Sequence, residues 1–381
     1  MKIGIDARLY GTQHGGIGRY TEELIKNLEK LDNNNDYEIF LSRDGFLLYE
    51  PQNPKFKKIK ADFRVYGWRE QLLYPLFLAF RGLDFIHFTH FNVPIFCVNK
   101  FIITIHDLII SHYPDSRATT LPPIIYRFKL LFYNLLIAQV ARRAKKIIAV
   151  SQFTKQDIVD LLKINSEKIS VVYEGMSLPS ISENSVQLLN KWDLADNFLL
   201  YVGSAYPHKN LERLLDAFLI ILKSRPDCQL VLGGKINYFY RRLADYIKKN
   251  EALSGLNQTG KPKIIITDYL SDQELSALYQ RASVYVFPSL IEGFGLPPLE
   301  AQSNGLPVVS SNRSCLPEIL GDSAIYFDPE NIQEMASVVL SVLNDSALRE
   351  KLVIGGDKNW RRYSWFQMAS EIKNIYLKIN F

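Results

Sequence analysis

The feature that most constrains this chain is an alternation, sustained from end to end, between short β-branched apolar runs and longer amphipathic segments. The runs are 2–6, 37–41, 85–87, 101–105, 146–150 and 169–172, followed by 198–202, 229–232, 264–267, 284–287, 307–310 and 324–327. Helical patterns such as 18–31 and 211–223 lie between them. Runs this short and this uniformly apolar suit strands of a parallel sheet covered by helices on both faces. A chain of 381 residues is too long for one ordinary core, and the Ser-, Pro-, Asn- and Glu-rich stretch 175–197 divides the two series. The reading is an α/β chain with two Rossmann-like, doubly wound domains facing a central cleft. These are residues 1–175, a linker over 176–196, and residues 197–361. A C-terminal helix over about 362–381 is expected to pack back on the first domain. Such sheets bind ligands beyond the carboxyl ends of their strands.

Composition removes several classes. At 47% hydrophobic and 22% charged residues the chain is globular rather than disordered. A net charge of +5 is mild, and no basic recognition helix or aromatic stacking platform points to nucleic acid. Cys97, Cys228 and Cys315 are odd in number and far apart, so neither a disulfide framework nor a metal cluster is expected. That usage fits a reducing, cytoplasmic setting. Asp6 interrupts any apolar leader, and no uncharged apolar run approaches the roughly 18–20 residues that span a bilayer.

The most informative segment starts where the run 284–287 ends: Pro288-Ser289-Leu290-Ile291-Glu292-Gly293-Phe294-Gly295-Leu296-Pro297-Pro298-Leu299-Glu300. Glycines let backbone approach a ligand closely, and prolines suit the first turn of a helix. The positive end of that helix favours an anion such as a diphosphate. Glu292 lies before the helix and Glu300 about one turn inside it, so the two can touch different parts of one long ligand. A second loop, Gly203-Ser204-Ala205-Tyr206-Pro207-His208-Lys209-Asn210, also joins a strand to a helix, with Lys209 as a point charge at its mouth. A third, Gly11 to Tyr20, is glycine-rich without being a dinucleotide fingerprint, and Gly15 and Gly16 are its candidate ligand contacts. His106 and Asp107 end a further strand. His87 and His90 alternate on another and are read as packed side chains or as lining the cleft floor, rather than as metal ligands. The loop before a helix capped by Ser271 or Asp272 carries Tyr269 and Leu270.

Taken in chain order over residues 1 to about 330, the motifs resemble family 4 (group 1) retaining glycosyltransferases of the GT-B fold. Glu292 and Glu300 match the family's E-x7-E signature, and Gly203 with Lys209 and Asn210 its G-x5-K-N loop. The resemblance implies that Glu292 lies beside the donor sugar and that Glu300 binds the ribose hydroxyls. Lys209 would neutralise the donor diphosphate, and His106 would approach the sugar hydroxyls. Asp107 would orient the ring or contact the acceptor. Gly15, Gly16, Gly203, Ser204, Tyr269, Leu270, Gly293, Phe294, Gly295 and Leu296 complete the donor site. Many relatives carry Arg where this chain has Ser204, so one cation is missing, and His208 or Arg19 are the candidate substitutes. No Asp-x-Asp or Walker loop is present. The expectation is therefore a retaining, metal-independent hexosyltransferase without a cofactor, whose co-substrate is a nucleotide diphosphate sugar.

The loops look most like those of bacterial surface-polysaccharide mannosyltransferases. GDP-mannose is thus the first choice of donor, ahead of UDP-hexoses, and a glycan or lipid-linked glycan the acceptor. Rival readings are a phosphorylase or epimerase of the same fold, and a non-catalytic nucleotide-sugar binding protein. Two first-domain segments, 68–80 and 126–146, combine apolar stripes with Arg142, Arg143, Lys145 and Lys146. Either they bury those stripes in the core, or they make a peripheral contact with an anionic membrane.

Overall fold

The computed structural model describes residues 1–65, 67–113, 122–177 and 189–379; most of the expected linker, 178–188, and residues 380–381 lie outside them. The chain forms two compact units, Met1–Gly175 with Tyr363–Phe381, and Met176–Arg362.

The first unit is built on seven parallel strands: β1 (Lys2–Ala7), β2 (Asp36–Leu41), β3 (Phe56–Lys60), β4 (Phe85–Phe88), β5 (Phe101–Ile105), β6 (Ile147–Ala149) and β7 (Ile169–Val171). They lie in the order β3-β2-β1-β4-β5-β6-β7, with Lys2 opposite Asp36 and Ile3 opposite Phe85. The central strands are apolar because helices cover both of their faces: Ile3, Ile5, Phe85, Ile86, Ile102 and Ile103 are buried. β3 escapes a reading by apolar runs because three of its five residues are lysines. It is an edge strand, and lysines there discourage pairing with another chain.

The second unit has six: β8 (Phe198–Val202), β9 (Gln229–Gly233), β10 (Ile264–Ile266), β11 (Val284–Phe287), β12 (Val308–Ser311) and β13 (Ala324–Phe327), in the order β10-β9-β8-β11-β12-β13. Every pair is parallel. The helix Leu211–Ser224 buries Leu211, Leu214, Leu215 and Phe218, the spacing of a single apolar helical face. In each unit the strand order reverses once, between β1 and β4 and between β8 and β11. At those points neighbouring loops diverge and leave a crevice at the carboxyl edge.

The last helix, Trp365–Lys378, packs on the helix Gly15–Leu31 of the first unit. Lys373 Nζ donates to the Leu31 carbonyl at 2.7 Å, and the Tyr376 hydroxyl meets His87 Nδ1 at 2.6 Å. The other His87 nitrogen is 2.9 Å from Thr104 Oγ1, so this ring ties sheet to helix. Gly175 permits the crossing: a Cβ there would lie 2.0 Å from the backbone nitrogen of Trp365.

Candidate active site

In the second unit, the loops after β8 and β11 flank the reversal point. The Lys209 ammonium, from the first loop, donates to Glu292 Oε1, from the second, at 2.5 Å, and both side chains are largely buried. Backbone joins the loops as well, the Leu290 amide donating to the His208 carbonyl at 2.8 Å. Asn210 makes this geometry possible. It adopts a left-handed conformation (φ 62°), uncommon outside glycine and Asn. Its side-chain amide donates to the carbonyls of Pro288 (3.1 Å) and Pro329 (2.8 Å). The sequence motif names Asn210, but its bridging role is visible only in three dimensions.

The Glu292 loop is braced from behind. The Glu292 amide donates to Ser314 Oγ at 3.0 Å, Ser314 itself being left-handed (φ 55°). The buried Cys315 thiol donates to the Phe294 carbonyl at 3.2 Å. Gly295, at φ 97°, caps the helix Leu296–Ser303. Pro297 and Pro298 lack N–H groups, so among the first four residues of this helix only Leu296 and Leu299 can donate. The helix therefore offers its dipole and few amides at its N-terminus. Glu300 is half-buried and accepts from the Tyr279 hydroxyl at 3.2 Å. Gly293 is buried.

Ser204 supplies no charge, and its carbonyl accepts from Tyr201 at 2.7 Å. The His208 ring is partly buried beside Lys209. Burial, reinforced by the neighbouring Lys209, pushes its pKa down to about 4, which favours the neutral ring. Gly203 is held by its amide on the Gly233 carbonyl (2.9 Å) and its carbonyl under the Tyr240 hydroxyl (2.8 Å). Tyr269 is exposed, whereas Leu270 approaches Gly233. Ser271 is the cap, in a full capping box with Glu274.

In the first unit, the carboxyl ends of β1, β4 and β5 gather a polar cluster. Arg8 pairs with Asp6 (2.7 Å) and Glu70 (2.6 Å), all three buried, and its guanidinium lies over the Tyr74 ring. His106 is buried with both nitrogens engaged: Nε2 donates to the Thr89 carbonyl at 3.0 Å, and Nδ1 faces Glu174 Oε1 at 3.0 Å. A carbonyl and a carboxylate both accept, so the ring is favoured as the imidazolium. Burial lowers its pKa, but the Glu174 hydrogen bond and charge outweigh this and raise it. The expected approach of His106 to a sugar hydroxyl therefore requires one of these bonds to open. Its edge meets the Tyr20 ring, centroids 4.7 Å apart. Glu174, Thr89 and Tyr20 were not singled out from sequence. Glu174 had no signal, since only the fold brings it to His106. Asp107 Oδ1 accepts from the Ile109 amide (3.0 Å), a local turn contact.

The glycine-rich segment also differs from expectation. Gly15 and Gly16 are not loop residues but open the helix Gly15–Leu31, and both are exposed. The glycine that space demands is Gly18, where a Cβ would lie 1.9 Å from the Gly11 carbonyl oxygen.

Each unit matches a family model: residues 14–178 match "Glycosyltransferase Family 4", and residues 189–359 match "Glycosyl transferases group 1". The chain is similar to O-antigen chain mannosyltransferase B of Escherichia coli, 29% identical over 95% of each chain. It is 31% identical to the serotype-specific mannosyltransferase WbdA of Escherichia coli over 62% of this chain, spanning 29% of that larger protein. Among solved structures, Anabaena Alr3699/HepE, crystallised with UDP and glucose, superposes with a TM-score of 0.74 at 17% identity, covering 99% of both chains. The chain is a group 1 glycosyltransferase of the GT-B fold, similar along its length to O-antigen mannosyltransferases.

Proposed function

We propose that this group 1 glycosyltransferase moves a hexose, mannose from GDP-mannose in the first instance, onto a glycan or lipid-linked glycan with retention of configuration. The observation that carries the reading is the Lys209–Glu292 pair at the reversal point between β8 and β11. An ammonium held there by a carboxylate can transfer to a diphosphate, and the carboxylate it leaves then faces the donor sugar. As the C1–O bond to the donor phosphate breaks, its electron pair stays on the nucleoside diphosphate. Lys209 and the dipole of the helix Leu296–Ser303 stabilise that charge. The acceptor oxygen bonds C1 on the face the diphosphate is leaving, and its proton passes to a phosphate oxygen. No side chain serves as a covalent nucleophile. Glu300 receives the ribose hydroxyls, and the backbone around Tyr269 and Leu270 the base. The first unit receives the acceptor. Charge on the diphosphate is met without a metal ion, and the reaction takes place on the cytoplasmic side.

Nucleotide sugars offered singly test this. A donor at about 100 times its dissociation constant stabilises the fold by about 2.7 kcal/mol, which a thermal melt resolves. GDP-mannose is expected to do so, and to release GDP only when a glycan acceptor is present. Stabilisation and turnover by a UDP-hexose alone would change the donor. Turnover that needs phosphate, or no acceptor, would indicate a phosphorylase or epimerase. Tight binding with no transfer to any acceptor would indicate a binding protein.

A further inference from the structure

The first unit leaves an apolar face uncovered. In the helix Trp68–Ala79, Tyr74 and Leu78 enter the core, while Leu72 and Leu76 face solvent; Phe80, just beyond it, is 88% exposed. In the helix Pro123–Arg143, the core takes Ile137, Val140 and Ala141 near its end. The stripe read from sequence points the other way: Phe128 is 71% exposed, Phe132 60% and Leu135 63%. A third segment joins them. Ile95 donates its amide to Gln71 of the first helix at 3.0 Å and accepts from Arg143 of the second at 2.5 Å. Next to Ile95 in the same segment, Phe96 and Val98 also stand exposed. Isolated apolar side chains on a surface need no explanation, but a run across three linked segments does.

The exposed charges on the three segments that carry this face have one sign. No Asp or Glu occurs between Ser116 and Gln156, whereas the second helix carries Arg127 and Lys129 beside its exposed phenylalanines, with Arg142 and Lys145 at its far end, all exposed. On the first helix, Arg69 is exposed and the one acid, Glu70, is buried against Arg8. No helix among the described residues is long and apolar enough to cross a membrane. Aromatic and leucine side chains on segments whose exposed charges are basic complement a surface that is apolar beneath and anionic above.

We propose that this face docks on an anionic lipid bilayer, with Phe128, Phe132, Leu72 and Leu76 entering the headgroup–acyl boundary and Arg69, Arg127 and Lys129 engaging lipid phosphates. The face is held firmly to the rest of the unit. Glu70, on the docking helix, is bound to Arg8 and through it to Asp6 at the carboxyl end of β1. The proposal goes beyond sugar transfer and does not depend on it.

Sedimentation of the full chain with vesicles of phosphatidylcholine, alone or with 30–40% (roughly) phosphatidylglycerol, tests it. Binding is expected only with the anionic lipid and weakens as salt rises. Arg127→Gln and Lys129→Gln should each lower the partition coefficient by roughly fivefold at low salt. Phe128→Ser with Phe132→Ser should lower it at least tenfold, with an unchanged melting temperature because both residues face solvent. Equal binding to neutral vesicles, or to anionic vesicles by the double Ser variant, would overturn the proposal. So would a stable dimer that the double Ser variant dissolves, since a second copy would then cover the face. Transfer to a soluble glycan acceptor should be unaffected by these variants, which separates failure of docking from failure of the donor chemistry.

Discussion

Removing the carboxylate that holds Lys209 should make the protein bind a free nucleoside diphosphate more tightly while transferring sugar less well. At the site, the ammonium and Glu292 are 2.5 Å apart and largely buried, so a diphosphate must take the lysine away from a partner it already has. Two unit charges about 4 Å apart at an effective dielectric constant near 20 interact by about 4 kcal/mol. Desolvation offsets much of that, and hydrogen bonds to charged groups retain about 1.5–3 kcal/mol net. Glu292→Gln keeps the shape and removes the charge. Titration calorimetry with GDP should then show affinity raised by roughly 5- to 30-fold, the equivalent of about 1–2 kcal/mol, while kcat for transfer falls. Lys209→Met should do the reverse to affinity and lower kcat/KM by roughly 10²–10³. If Glu292→Gln bound GDP no better than the parent protein, the ion pair would not compete with the ligand, and this reading of the site would fail.

Glu300→Ala removes the acceptor proposed for two ribose hydroxyls and should weaken GDP binding by roughly tenfold or more; unchanged affinity in the folded variant would free Glu300 from that role. Arg8→Ala leaves Asp6 and Glu70 buried without their cation and should cost about 3–5 kcal/mol in urea unfolding; a loss below about 1 kcal/mol would mean the network is not structural. The His106 pKa is raised in the fold, so its pairing with Glu174 stabilises fully below the unfolded value near 6.5 and fades as pH rises through the folded value. Because buried His87 and His90, both pushed down to about 3, oppose that trend, the measurement is a difference. The melting-temperature gap between the parent protein and Glu174→Gln should be widest below pH ~6.5 and narrow as pH rises above it; a gap independent of pH would contradict a protonated His106.

Strands were legible because a parallel sheet buried on both faces writes itself as apolar runs, and the ends of β5, β8 and β11 fall within a residue of expectation. β3 was not legible, because an edge strand with Lys57, Lys58 and Lys60 has no such run. Around the loops after β8 and β11, sequence named Lys209 and Glu292 from motif spacing. It could not name Ser314 and Cys315 as their supports, nor see that Asn210 joins two loops about 80 to 120 positions away. The glycines show the same limit. Composition marks Gly15 and Gly16 as readily as Gly18, and only the approach of the Gly11 carbonyl distinguishes them. Periodicity located the stripe on the helix Pro123–Arg143 but was silent on its direction, because core and uncovered face have the same spacing.

The most direct test of sugar transfer with retention follows the anomeric proton by NMR in a single reaction. The purified protein, GDP-mannose and a mannose-terminated oligosaccharide are incubated with and without EDTA, and the first product formed is observed. An α-linked mannose from the α-linked donor, with one GDP released per bond and the same rate in EDTA, is the predicted result. A β-linked product would contradict retention. A rate abolished by EDTA and restored by Mn²⁺ would contradict the metal-free handling of the diphosphate assigned to Lys209.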